Sequence, residues 1–271
     1  MNILVIGTGE KEQAIIKLCL KSKLLDKIFT ASNNPLEDIP NVEYSSFEDL
    51  ASKAKILQID IAILLDTNLI NEGIVDIFKK NLINLICTNK KWLNLETSRL
   101  IAKQLANHYT INTPEIIKAP VAFPIVVKTD YPESKKIAYS IQELIKIREE
   151  FAGKKVFLEE YLNGEEFSLI SLWDGKNFAH FNTIENLNEV QEDRLQLYKT
   201  KLSFMLSDEK TDFIGFIISK LIWAKNDWYL LSYRMTPNIN ELNSILNHFS
   251  KDFLYLLNAA IYQKLNEIPN K

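Results

Sequence analysis

The stretch that decides the reading runs from Phe123 to Glu166: FPIVVKTDYPESKKIAYSIQELIKIREEFAGKKVFLEEYLNGEE. Phe123 to Val127 is a short apolar run rich in β-branched residues, which predicts a buried strand ending on Lys128. A polar turn from Thr129 to Lys136 holds Pro132 and four charged residues. Ser140 stands three residues before Glu143, the spacing of a capping box, and Ile141, Leu144, Ile145 and Ile147 follow as one helical face. A second strand is expected over Lys155 to Leu158, then Glu159-Glu160, Tyr161-Leu162, a turn at Asn163-Gly164, and Glu165-Glu166. A strand-end lysine, a loop and an acidic-apolar hinge suit a nucleotide: the lysine neutralises phosphate, the hinge offers backbone groups to a base, and the last carboxylates reach ribose hydroxyls. The same spacing also suits two ordinary strands around a solvated helix.

Outward from this stretch the chain alternates strand and helix. Asn2 to Ile6 is strand-like and runs into Gly7-Thr8-Gly9, with a helix expected from Lys11 to Lys21. Strand, glycine turn and helix open many phosphate-binding α/β units, but Glu12 stands where the third glycine of the dinucleotide fingerprint would be. Strands over Leu25–Ala31, Ile59–Leu65 and Leu82–Cys87, with helices over Phe47–Leu57 and Leu69–Lys80, predict a doubly wound parallel sheet. A helix is expected over Glu96–Asn107, strands over Phe167–Trp173, Asn177–Asn182 and Trp228–Tyr233, an irregular exposed loop over Glu185–Lys201, and a closing helix over Phe249–Leu265. The run Asp212–Trp223 fits either helix or strand.

Composition bounds the function. The net charge is −3 and no basic stripe is present, which argues against a nucleic-acid partner. No apolar run of about 18 residues occurs, so no membrane partner is expected. Cys19 and Cys87 lie in apolar surroundings without pairing logic, and the first residues read as a strand rather than a leader, which fits a reducing cytoplasm. Seven glycines in 271 residues is well under the usual ~7%, so few phosphate-cradling loops are to be expected. His108, His180 and His248 have no matching partners in sequence and read as surface or hydrogen-bonded residues.

These landmarks, in this order, resemble the phosphoribosylamine–glycine ligase family of the ATP-grasp superfamily. The resemblance is carried by Asn2–Gly9, by Ile59-Asp60-Ile61-Ala62 with Gly73–Asp76, by Glu96–Arg99 with Lys103, and by Asp252–Ala260. It is specific at Pro124–Lys128 and Glu159–Glu166, and weaker elsewhere. It implies an N-terminal Rossmann-like α/β domain over residues 1–96 and an ATP-grasp α+β domain over 97–271, without the family's C-terminal domain. It implies ATP as ligand, held by Lys128, Lys136, Glu159, Glu160, Leu162, Glu165 and Glu166, with Gly7, Gly9 and Lys11 forming the phosphate turn.

The departures from the family are as informative. Leu65-Asp66-Thr67 replaces a substrate-binding Gly-Pro-Glu turn, and the lid Tyr131–Lys136 has no glycine. With Arg234-Met235 as the family's Arg-Met pair, Leu230 and Ser232 stand where two Mg²⁺ ligands belong, so no metal ligand and no catalytic residue is assigned. Asp208, Glu209, Asp212, Asp227 and Glu241 are the nearest carboxylates that could replace them. Three functions compete: an impaired paralogue that binds a nucleotide, a phosphoribosyl metabolite or a partner protein; an active ligase forming glycinamide ribonucleotide; and a small ATP-grasp ligase with another substrate. They separate on whether two carboxylates converge near Lys128.

Overall fold

The structure is a computed structural model that describes residues 1–119, 122–130, 134–182, 186–248 and 252–268. Strand β1 (Asn2–Ile6) ends on Gly7, whose φ of 107° lets the chain turn into helix α1 (Glu10–Leu20). Then come β2 (Lys27–Ala31), α2 (Phe47–Ile56) and β3 (Ile61–Leu64), the last buried at all four positions. The single helix expected over Leu69–Lys80 is two, α3 (Thr67–Asn71) and α4 (Ile74–Lys80). Gly73 between them has φ 97°, in the left-handed region, which ends the helical ladder. Strand β4 (Leu85–Ile86) completes a parallel sheet in the order β2-β1-β3-β4.

Helices α5 (Lys90–Thr97) and α6 (Arg99–His108) replace the one helix expected over Glu96–Asn107. They meet at Ser98, which is extended and whose hydroxyl accepts from the Ile101 N–H, so it ends one helix and caps the next. A small lobe follows: β5 (Ile116–Ile117), β6 (Ile125–Thr129), β7 (Lys135–Ala138), α7 (Ile141–Glu150) and β8 (Val156–Glu160). Its antiparallel sheet has the order β5-β8-β6-β7, with Val126 opposite Glu159 and Lys128 opposite both Phe157 and Lys135. On α7 only Leu144 and Ile147 of the four expected apolar positions are buried; Ile141 and Ile145 face solvent.

The third sheet, in the order β10-β9-β11-β12, is antiparallel. It contains β9 (Glu165–Trp173), β10 (Phe178–Asn182), β11 (Gly215–Ala224) and β12 (Asp227–Arg234). The ambiguous run before Trp223 is therefore strand. Between β10 and β11 the expected irregular loop is helix α8 (Glu189–Asp208), opened by a capping box of Asn188 and Gln191. Its charged residues dominate a linear reading, yet Leu195, Tyr198, Leu202, Met205 and Leu206 fall on one buried face. Glu185 lies outside the described residues, as do Tyr131–Glu133 of the expected lid and Phe249 at the start of the expected closing helix. That helix is shorter, α10 (Phe253–Ile261), capped by Asp252; α9 (Ile239–His248), which precedes it, has no counterpart in the sequence reading. Among the described residues no helix is long and apolar enough to cross a membrane.

Two apolar clusters tie the parallel sheet to the third sheet. One joins Leu4, Ile6 and Leu64 to Leu169, Ile217 and Tyr233; the other joins Ile3, Val5 and Ile15 to Ile170, Phe216, Leu242 and Leu257. Both buried cysteines belong to these clusters as small core residues. The small lobe has its own core of Ile125, Val127, Ala138, Leu144, Ile147, Phe151 and Leu158. The chain passes from the lobe to the third sheet through Asn163-Gly164. A Cβ on Gly164 would lie 1.9 Å from the Trp223 carbonyl oxygen, so only glycine lets this crossing lie against β11. Gly164→Ala is therefore expected to lower unfolding free energy by about 1–3 kcal/mol, the range of an overpacked site, read as a fall in urea midpoint at constant slope.

Candidate nucleotide site

Strand alternation sorts the side chains of the small lobe. On β6, Ile125 and Val127 turn into the lobe core while Val126 and Lys128 face a cleft of about 140 Å³ between this sheet and the third sheet. On β8, Leu158 turns inward and Glu159 faces the cleft. On β7, Lys135 and Ile137 face the cleft and Ala138 faces the core. The far wall is Ile222 and Leu231, and the hinge residues Tyr161, Leu162 and Gly164 close one end. Leu162 packs on Ile222 and Ala224.

The centre of the site is a buried charge triad. Glu159 Oε1 lies 2.7 Å from Lys103 Nζ and Glu159 Oε2 lies 2.5 Å from Lys128 Nζ, with all three side chains less than a tenth exposed. Lys103 Nζ also donates to the Pro114 carbonyl. Arg99, one turn earlier on α6, donates to the Thr129 and Ser134 carbonyls at 3.3 and 3.1 Å. Burial pulls the Lys128 ammonium below the usual lysine range, with Glu159 opposing the shift. Asp130 accepts from Ser98 Oγ at 2.9 Å and from the Leu100 N–H at 3.0 Å, capping α6. Burial pushes its carboxyl up, but these donors and Lys155 together hold it below the usual range.

The sequence-predicted residues divide. Lys128, Glu159, Glu160, Leu162 and Glu166 line one cleft. Glu160 sits at its edge, accepting from the Glu115 N–H and paired with Lys225. Glu166 lies 3.3 Å from Lys135 Nζ and 2.6 Å from Lys220 Nζ; burial raises its pKa, and the two lysines more than reverse that. Glu165 is exposed at the start of β9, opposite Trp223. Lys136 is on the other face of β7, paired with Glu150 of α7; the period of two gives the cleft position to Lys135 instead. Arg99, Lys103, Lys135 and Lys220 were not among the predicted site residues. The i, i+4 spacing of Arg99 and Lys103 and the alternation along β7 are the signals that point to three of them; Lys220 has no local signature.

Gly7, Gly9 and Lys11 line a second, open cleft of about 430 Å³ with Ser32, Leu65, Asp66, Thr67, Glu96 and Thr236. Lys11 Nζ lies 3.2 Å from Thr236 Oγ1. The glycine turn is already filled: Glu12 is buried, and a Cβ on Gly9 would lie 2.8 Å from its Oε2. Burial raises the Glu12 carboxyl, partly offset by its own and the Gly9 backbone N–H groups.

Mg²⁺ is the metal that the fold family implies, and the donor set does not fit it. Leu230 is buried and apolar, and Ser232 offers one neutral hydroxyl. The five alternative carboxylates are each engaged elsewhere: Asp208 by the Tyr109 hydroxyl, Glu209 by Lys91, Asp212 by Lys79, Asp227 by Asn112, and Glu241 by Arg234. Carboxylates do converge near Lys128, but Glu159 and Glu166 each bridge two lysines. Among the described residues no group of three or more His, Cys, Asp or Glu is placed to hold a metal ion. His180 is likewise engaged, its Nδ1 2.9 Å from Ser171 Oγ.

A parallel α/β sheet followed by two antiparallel sheets that enclose a lysine-lined cleft defines an ATP-grasp fold. The family model described as phosphoribosylglycinamide synthetase, N domain, matches residues 1–96. A phosphoribosylamine–glycine ligase from Fusobacterium nucleatum is 26% identical over 319 residues, covering 99% of this chain and 75% of that protein. The crystal structure of phosphoribosylamine–glycine ligase from Thermotoga maritima superposes with a TM-score of 0.74 at 18% identity, covering 100% of this chain and 77% of that one. D-alanine–D-alanine ligase from Bacillus anthracis, crystallised with ATP, gives a TM-score of 0.64 at 18% identity over 98% and 99% of the two chains. Over nearly its whole length the chain is similar to phosphoribosylamine–glycine ligases, and its first 96 residues match the family's N-domain model.

Two outcomes are expected. Glu159→Ala leaves Lys103 and Lys128 buried without their counter-ion and should cost about 3–5 kcal/mol in denaturant unfolding. Asp130 and Glu166 have folded pKa values below their ordinary 3.8 and 4.5, so their stabilisation is complete above that range. It should be lost as pH falls through the folded values, and thermal scans across an acid titration, with Asp130→Asn as control, measure the loss.

Proposed function

We propose that this chain binds an adenine nucleotide in the cleft between Lys128 and the Tyr161-Leu162 hinge, and that it has lost ligase activity and acts as a nucleotide- or metabolite-binding paralogue. The observation that carries this reading is the fate of the cleft carboxylates. Glu159 and Glu166 are each held between two lysines, and the family resemblance, with Arg234-Met235 as its Arg-Met pair, puts Leu230 and Ser232 where metal ligands belong. Phosphoryl transfer depends on positioning and on cationic and metal charge at the transferring group. When bound, Mg²⁺ would neutralise the phosphates and align them, and this chain's residues do not offer it a seat.

The binding half of the function is supported by what remains. Lys128 is pre-positioned in the cleft by Glu159, so it loses little conformational entropy when it meets phosphate. The walls Val126, Ile137, Leu162, Ile222 and Leu231 are apolar and suit a base. The backbone at Tyr161-Leu162 can read its edge, and Glu166 faces the same cleft for a ribose contact.

Two measurements test the proposal together. In calorimetry Lys128→Ala should weaken ATP binding by about 1.5–3 kcal/mol, the scale of hydrogen bonds to charged groups. Purified protein given ATP, Mg²⁺, glycine and fresh phosphoribosylamine should form no glycinamide ribonucleotide above a matched blank. Product that disappears in Lys128→Ala would establish an active ligase instead.

A further inference from the structure

The cleft is richer in cations than any role assigned so far requires. Lys103, Lys128 and Arg99 surround Glu159 on one side, and Lys135 and Lys220 hold Glu166 on the other. Glu160 and Lys225 cancel at the rim. Even with Glu96, whose Oε2 accepts from the Met235 N–H, and with Asp130, which lies near Arg99 and pairs with Lys155, six cations meet four carboxylates.

Lys220 is the telling residue. It lies on β11 two positions before Ile222, on the same face, and Ile222 lines the cleft. The strand register sets Ser168, Lys220 and Ser232 opposite one another across β9, β11 and β12. Beside the cleft, the third sheet thus carries an ammonium flanked in register by two hydroxyls, at the level where, by the family resemblance, Ser232 takes a metal ligand's place. A hard dication needs several oxygen acceptors at close range and is repelled by a neighbouring ammonium. A phosphate chain needs the reverse, namely donors and positive charge, and each lysine has three N–H donors of which its carboxylate partner uses only part.

Resting on the nucleotide reading above, we propose that protein cations, with Lys220 in the position of the metal, hold the phosphate chain in this cleft. The ligand is then a metal-free nucleoside di- or triphosphate. Without its metal the phosphate chain carries two more negative charges than its dication complex, and those are the charges that Lys128, Lys135 and Lys220 can meet, with Lys103 and Arg99 adding positive potential beside Glu159. The metal complex brings a dication against Lys220 and is disfavoured.

The test is calorimetric titration of the whole chain with ATP and ADP, in EDTA and again in excess Mg²⁺. Binding is expected in EDTA, with apparent affinity falling in Mg²⁺ in step with the fraction of nucleotide held by the metal. Lys220→Ala should weaken the EDTA affinity about tenfold, one hydrogen bond to a charged group, and Lys220→Arg should restore it. Inorganic tripolyphosphate in EDTA should compete with ATP in the native chain, and titrated alone it should bind Lys220→Ala about tenfold more weakly, which identifies the phosphate chain as the part that is read. Binding that requires Mg²⁺, or that tightens with it, overturns the proposal and leaves the nucleotide site standing. Binding in neither condition overturns the nucleotide site itself. Unchanged EDTA affinity in Lys220→Ala, with the unfolding midpoint preserved, also overturns the assignment of Lys220.

Discussion

Everything around the cleft depends on one carboxylate held between two ammonium groups. Glu159 comes from β8, Lys128 from its neighbour β6, and Lys103 from α6, which belongs to the body of the molecule. Three ionised side chains out of water are costly individually, and they persist because each offsets the others' desolvation. The arrangement fixes the small lobe against α6 and aims two cations at one point. Lys103 and Glu159 make the burial of Lys128 tolerable, and Lys128 is in turn what makes the cleft attractive to an anion.

The other ties across the cleft are of a different kind. Lys135 with Glu166, and Lys225 with Glu160, link the two antiparallel sheets through half-exposed lysines and partly buried glutamates. Such pairs contribute little each and are screened by salt. The small lobe also has a core of its own, whereas the parallel sheet and the third sheet share theirs. The lobe is therefore fastened at the buried triad, at the Arg99 and Asp130 contacts with α6, and at the hinge, where Gly164 crosses β11 and Leu162 packs on Ile222 and Ala224.

Much of this was legible in the sequence, for identifiable reasons. The strand ending on Lys128 and the hinge from Glu159 to Glu166 stand out because buried strands and acidic-apolar turns have strong local composition. Lys136 was assigned to the site because lysine was counted by register with a family pattern. The pleat decides instead, and it gives the cleft to Lys135. Helix α8 was hidden because its solvated face carries most of its charged residues, although the buried leucines and Tyr198 keep helical spacing. Glu12 was visible as a missing glycine, but no local pattern tells that its carboxylate folds back over Gly7 and Gly9. Lys220 and Ser232 gain their meaning only from cross-strand register, which joins positions far apart in the chain.

The shared core also bears on how the polypeptide emerges from a ribosome. Helix α1 rests its inner face, including Ile15 and Cys19, in the same cluster as Leu242 of α9 and Leu257 of α10, near the other end of the sequence. The opening α/β unit thus leaves synthesis with an apolar face still bare, and its cover arrives only once α9 and α10 have been made. During that interval the nascent segment carries exposed apolar surface, and the core of the body closes only after both late helices are in place, although its first strands are made first.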